Sequence, residues 1–292
     1  ARVRSPAVKV RIGVILGIDG GTDPEELSAA VIAMEELGFD SLWLAERLST
    51  GIPDVVAGLA FAAARTTRLK LGTGVVVLPG RNPAVVAKQL ATVDRLSQGR
   101  LLVAFGSGLP DPDERALLPV PAGRRGEVFD ETLTAVRAYL SPGSPVRPAP
   151  VQQPLDLWVG GNAPAALDRA GRLADGWLPS LISPGEAKAG RERVEEAASR
   201  SGRRIDPGHF GVTFFYTDNG TLPAPLAAAI ARRRPGVDPA TLAPSGLPGA
   251  VDFIGRCLDA GFSKFVVRPA TTPASWPATL EAMADALLPL QT

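Results

Sequence analysis

Apolar residues along this chain gather in short continuous runs, separated by stretches in which they return at every third or fourth position. The runs are 9–17 (KVRIGVILG), 41–46 (SLWLAE), 70–78 (KLGTGVVVL), 101–107 (LLVAFGS), 155–161 (LDLWVGG), 176–181 (GWLPSL), 210–217 (FGVTFFYT) and 264–269 (KFVVRP). Rich in β-branched and aromatic residues and bounded by turn formers, they predict eight buried strands. Between them the period is helical. Leu27, Ala30, Val31, Met34 and Leu37 share one helix face, and Val86, Leu90, Val93 and Leu96 share another.

The punctuation agrees with that alternation. Asp23-Pro24, Asn82-Pro83 and Ser183-Pro184 each set a capping side chain before a proline at the first helical position. Glu26 and Glu186 stand three residues after their caps, the spacing of a capping box. Eight strand-helix units within 292 residues imply a single α/β domain spanning residues 1–292, a (β/α)8 TIM barrel. An open doubly wound sheet generally has fewer strands.

Two connections are longer than ordinary loops, 108–124 after the fourth strand and 218–246 after the seventh. Both leave the C-terminal ends of strands, the face on which barrels build their sites, so both are expected to be insertions acting as lids or binding loops. The second carries Arg232-Arg233-Arg234, read either as a holder for an anionic tail or as a solvated helix end favoured by the dipole.

Composition narrows the chemistry. No run of about 18 apolar residues is present, so no membrane span is expected. The opening ARVRSPAVKVRIGV lacks the long apolar region of a signal peptide, and a cytoplasmic location is expected. Thirty-one basic and thirty acidic residues leave a formal net charge of +1, which gives no global attraction to nucleic acid or an anionic membrane; the expected partner is a small molecule. One cysteine, Cys257, and one histidine, His209, exclude a disulfide and cysteine- or polyhistidine-based metal sites. Cys257 reads as a core thiol. Chemistry on this chain therefore needs a cofactor or carboxylates.

Several strand ends are unusually bare: Gly72-Thr73-Gly74, Gly106-Ser107-Gly108 and Gly160-Gly161-Asn162. Glycine within a strand marks a bulge, a bend or a close approach to the backbone. The last trio precedes a helix N-terminus, where free N–H groups attract phosphate; the alternative is a tight turn with Asn162 as the cap. Neither GxGxxG nor GxxxxGK[ST] occurs in the context of a nucleotide site.

The runs LGTGVVVLPGRNPAVVAKQLATVDRLSQGRLLVAFGSG and LWVGGNAPAALDRAGRLADGWLPS resemble the luciferase-like flavin and deazaflavin oxidoreductase superfamily. LWLAERL, VQQPLDLWVGG and GFSKFVVRP are similar to predicted coenzyme F420-dependent oxidoreductases of actinobacteria. The resemblance extends from about Lys9 to Pro269 and implies a luciferase-like barrel. It further implies a bulge with a non-proline cis peptide at Gly74-Val75 under the cofactor ring, beside Gly106 and Ser107. The cofactor phosphate would be received by Gly160, Gly161 and Asn162 together with Ser180, Leu181 and Ile182.

Two departures stand out. Glu46-Arg47 occupies the position where many deazaflavin members carry Asp-His, and Leu109 stands where some carry a glutamate acid. Glu46, at the end of the second strand, is the remaining candidate general acid or base. An ion pair with a nearby arginine is its alternative role. Trp43, Arg47 and Arg232–Arg234 are candidates for contact with substrate or with the cofactor tail. The expected function is hydride transfer between coenzyme F420 and a small organic substrate. An FMN-dependent monooxygenase or reductase is the alternative, a non-catalytic cofactor-binding protein is the reading from another class, and a homodimer is the family expectation.

Overall fold

Each apolar run forms at least part of a parallel strand, because both of its faces are covered, by helices outside and by packed side chains within. The computed structural model describes residues 9–17 and 23–292; the N-terminal residues 1–8, on which the leader reading rests, lie outside them. The strands are β1 (Arg11–Ile15), β2 (Ser41–Leu44), β3 (Lys70–Thr73), β4 (Val76–Val77), β5 (Leu101–Gly106), β6 (Leu157–Val159), β7 (Gly176–Trp177), β8 (Gly211–Tyr216) and β9 (Lys264–Pro269). Their order is β7-β6-β5-β3-β2-β1-β9-β8, with β4 added to β5. Single parallel bridges, Trp177 to Phe210 and Ser180 to Thr213, nearly close this sheet into the expected TIM barrel.

Two runs differ from their predicted extent. The third is broken into β3 and β4 at Gly74-Val75, whose peptide bond is cis as the resemblance implies. The sixth pairs regularly only over Gly176–Trp177, since Pro179 has no N–H to give the ladder.

A helix follows each barrel strand: α1 (Pro24–Leu37), α2 (Val55–Ala63), α3 (Pro83–Leu96), α5 (Arg125–Leu140), α6 (Pro164–Leu173), α7 (Pro184–Arg200), α9 (Gly246–Asp259) and α10 (Trp276–Leu287). Two more, α4 (Pro112–Leu117) and α8 (Ala224–Arg233), lie in the two insertions. No helix among the described residues is long and apolar enough to cross a membrane. The Ser183–Glu186 capping box forms in full, whereas at Asp23 only the cap bonds to the Glu25 and Glu26 N–H groups are present.

The main core lies between strands and outer helices and includes Ile12, Leu42, Leu71, Met34 and the buried thiol of Cys257. A second cluster fills the barrel itself: Ile15, Trp43, Ala104, Trp158, Leu178 and Val266. Trp43 is 1% exposed and donates its Nε1–H to Ser41 Oγ at 2.8 Å, so it is an interior filler and not a substrate contact. Its indole also explains Gly72, where an added Cβ would overlap the ring.

At the N-terminal end of the barrel, Asp40 accepts from Lys70 at 2.7 Å and from the buried Lys264 at 2.8 Å. Burial lowers the Lys264 pKa to about 8. His209 lies at this end too, with Nδ1 2.9 Å from the Asp175 carbonyl and Nε2 3.6 Å from Asp156.

These packing relations set opposite signs for two glycine substitutions. Gly72→Ala is expected to destabilise the fold by about 1–3 kcal/mol through overpacking against Trp43. Gly255→Ala, in the open interior of α9 with nothing within 4 Å of the new Cβ, is expected to stabilise it by about 0.5–1 kcal/mol. Urea unfolding followed by circular dichroism measures both.

Candidate active site

A cavity of about 700 Å³ opens at the C-terminal ends of the strands. One flank is almost bare backbone. Gly74 and Val75 come from the break between β3 and β4, Gly106 and Ser107 from the end of β5, Gly160 and Gly161 from the end of β6, and Ser180 from beyond β7. The glycines are coupled through Val75. A Cβ on Gly106 would overlap the Val75 side chain, and one on Gly160 would stand 3.3 Å from it and 3.2 Å from the Leu178 carbonyl.

The turn into α6 differs from the sequence reading. Its N-cap is Ala163, with no side-chain hydrogen bond to the first turn, and Asn162 instead points its amide at the Ser180 carbonyl, 3.4 Å away. Gly161 has φ +97°, a conformation that suits glycine. No side chain caps α6; Pro164 has no N–H and the Ala166 N–H donates to the Ala163 carbonyl at 2.8 Å, so the Ala165 N–H and the helix dipole are what this end offers an anion beside the cavity. Of Ser180, Leu181 and Ile182, only Ser180 lines the cavity. Leu181 and Ile182 are buried, Leu181 against Phe215 and Ile230, because apolar side chains here complete the packing beneath the insertion.

The opposite flank is basic, with Arg47, Arg233 and Arg268 in the lining. Arg47 pairs through Nε with Glu114 at 3.2 Å. Glu114 also accepts the Leu48 N–H at 3.2 Å, the Ser49 N–H at 3.1 Å and the Ser49 hydroxyl. Burial would raise its carboxyl, but the bonds from Ser49, Leu48 and Arg47 outweigh it and hold the pKa at about 2. Glu114 was not singled out from the sequence; its signal was the 108–124 insertion, without a motif to single out this acid. Arg234 turns away to Glu186 and the Leu181 carbonyl, and Arg232 lies exposed outside the cavity. The three consecutive arginines therefore do not act as one patch, since a helix sends neighbours in different directions.

Glu46 borders the cavity, but both its oxygens are engaged. Oε1 is 2.6 Å from Arg81 Nη2, and Oε2 accepts the Val77 N–H at 2.8 Å. Arg81 Nε donates to the Val77 carbonyl at 2.8 Å, and the Glu46 N–H donates to the Val75 carbonyl at 3.2 Å. The two side chains thus hold both backbone groups of Val77 and fix the segment that carries Val75. Burial pushes the Glu46 carboxyl above its usual pKa, against the pull of Arg81 and the Val77 N–H. Of the two alternatives for Glu46, the ion pair is present: both carboxylate oxygens are engaged at the strand break, by Arg81 and by the Val77 N–H. Among the described residues no group of three or more His, Cys, Asp or Glu side chains is placed to hold a metal ion.

Glu46→Ala is expected to cost about 1–3 kcal/mol, since it leaves the buried Val77 N–H unsatisfied and the half-buried Arg81 unpaired, while Glu46→Gln, which keeps an acceptor, costs less. Urea unfolding of both variants checks the order. For Glu114 the folded pKa lies below the unfolded 4.5, so its contribution is present above about pH 4.5 and is lost as pH falls toward 2. Glu114→Gln is expected to lower stability at pH 7 and to converge with the parent at about pH 2, as read from unfolding midpoints across that range.

Comparison with known proteins places this architecture. A family model described as luciferase-like monooxygenase matches residues 10–220. A Mycobacterium tuberculosis protein named as a coenzyme F420-dependent oxidoreductase is 29% identical over 223 residues, which are 67% of this chain and 62% of that protein. The alignment thus spans about three-fifths of that relative's length. Among solved structures, an F420-dependent secondary alcohol dehydrogenase in complex with an F420-acetone adduct superposes with a TM-score of 0.77 at 17% identity, covering 97% of this chain and 100% of that one. The oxygenating constituent of 3,6-diketocamphane monooxygenase from Pseudomonas putida, in complex with FMN, gives 0.72 at 16% identity, covering 97% and 99%. The family match over most of the chain, on a barrel whose third strand breaks beneath a glycine-lined cavity, means that this chain belongs to the luciferase-like monooxygenase family.

Proposed function

We propose that the protein is an oxidoreductase that holds a deazaflavin of the coenzyme F420 type in the C-terminal cavity and passes hydride between it and a small organic substrate. The observation that carries this reading is the bare flank beside an uncapped helix. Val75 with Gly106 and Gly160 gives a floor on which a flat ring can approach the backbone closely, and the α6 N-terminus with Gly161 offers N–H groups to a phosphate. The cavity, about 700 Å³, lies within the usual range of cofactor sites.

When bound, the cofactor supplies the hydride acceptor and donor; the chain supplies orientation, exclusion of water and charge. Val75, held through Val77 by Glu46 and Arg81, sets the height of the ring floor. Gly161 and Ser180 border the phosphate end. Arginines on the far flank make the site electropositive, which favours an anionic cofactor and substrate. FMN is the second reading, favoured by the FMN-bound neighbour of the same fold. F420 is preferred because the Mycobacterium tuberculosis relative is named for it.

Titration of the purified protein with F420 and with FMN, followed by absorbance and fluorescence, is expected to give at least about tenfold tighter binding of F420, roughly 1.4 kcal/mol. Tighter FMN binding at every salt concentration would overturn that preference. Gly161→Val is expected to weaken the bound cofactor by at least about tenfold through lost backbone approach, with the fold retained in circular dichroism. Unchanged affinity would leave the turn purely structural.

A further inference from the structure

Among the described residues, most of the charges around the cavity are paired. Glu46 is offset by Arg81, and Arg47 by Glu114. Arg233 has neither an ion pair nor a hydrogen bond among the described residues, yet its side chain lines the cavity. Arg268, which has interactions of its own, adds a further guanidinium to the same flank.

The position of Arg233 is built in. Ile230 is buried against Leu181, Phe215 and Leu242, and Arg234 is tied to the Leu181 carbonyl and the Glu186 carboxylate. Residues four apart share a helix flank, so these two anchors seat one side of α8 against the barrel and leave Arg233 on another side, over the cavity. Its side chain is solvent-exposed at the cavity mouth, and partial burial there, with the like charges of Arg47 and Arg234 nearby, lowers its pKa. Such a like-charge neighbourhood is relieved by a bound anion. The wall beside it is apolar, formed by Ile52, Pro223, Pro225 and Leu226.

We infer that Arg233 receives the carboxylate or phosphate group of the substrate, whose remaining body is apolar and rests on the Ile52–Leu226 wall. The inference rests on the proposed cofactor site. That reading assigns the α6 N-terminus, on the β6–β7 side, to the cofactor phosphate. Arg233, electrostatically close to Arg47 at the end of β2, is then left for a second anion. A guanidinium suits this task because its fork of donors grips a carboxylate or phosphate through two parallel bonds.

The test uses inorganic phosphate as the probe, titrated calorimetrically into full-length protein already saturated with whichever cofactor the binding experiment selects. Loaded protein is expected to bind phosphate, Arg233→Gln to lose at least tenfold in that affinity, and Arg232→Gln, on the same helix but outside the cavity, to keep it. Absence of phosphate binding to the loaded protein, or equal binding by Arg233→Gln, overturns the inference. So does a selective loss of F420 affinity in Arg233→Gln with FMN affinity intact, because the anion is then the cofactor's own chain. Failure of the unaltered protein to bind either cofactor counts against the proposed function alone. In that case the phosphate titration is run on cofactor-free protein, where dependence on Arg233 supports the anion site and independence overturns it.

Discussion

The hold of Glu46 and Arg81 on Val77 is the constraint around which the cavity is arranged. A strand that breaks in mid-course loses ladder partners, and its freed N–H and C=O groups need others before they can be buried. Here two side chains from different turns satisfy both groups of one residue, and the Glu46 backbone holds the Val75 carbonyl. Val75 is thereby fixed in the mouth of the barrel. Its side chain then dictates glycine at the two neighbouring strand ends, Gly106 and Gly160, because a Cβ on either would crowd it. A structural ion pair thus determines the shape of a functional surface.

The two ends of the barrel handle charge differently. At the N-terminal end, Lys264 and Lys70 share Asp40, and burial would raise this carboxyl had the two lysines not held it at about 2. The arrangement is closed and contributes to stability. At the C-terminal end Arg233 has no acid partner among the described residues, and its helix is anchored through Ile230 and Arg234. The contrast matches the general division of barrels into a stabilising face and a working face.

Glu114 shows how an insertion can complete a site without declaring itself. Its helix, α4, spans only Pro112–Leu117, but its carboxylate gathers Arg47 and the Leu48–Ser49 backbone, joining the loop after β2 to the loop after β5. This crosslink sets the rim of the cavity and restrains Arg47. None of these contacts leaves a trace in local sequence pattern, since the partners are some 65 residues apart in the chain.

The sequence by itself determined the eight apolar runs, the helical faces between them, the two insertions and the bare strand ends, and hence the barrel and the end at which its site lies. These follow from periodicity and turn chemistry, which act over a few residues at a time. Gly74-Val75 as the break in the third strand, and the family to which the chain belongs, were legible too, because they sit in a continuous motif. Tertiary structure alone decided which direction each side chain faces. It turned Trp43 into the barrel core, where Gly72 makes room for its ring, engaged both oxygens of Glu46, withdrew Leu181 and Ile182 into the packing, and separated Arg233 from Arg232 and Arg234. The physical reason is that burial and pairing depend on neighbours brought together by folding, and a residue's type names the bonds it can make but not the partner it will meet.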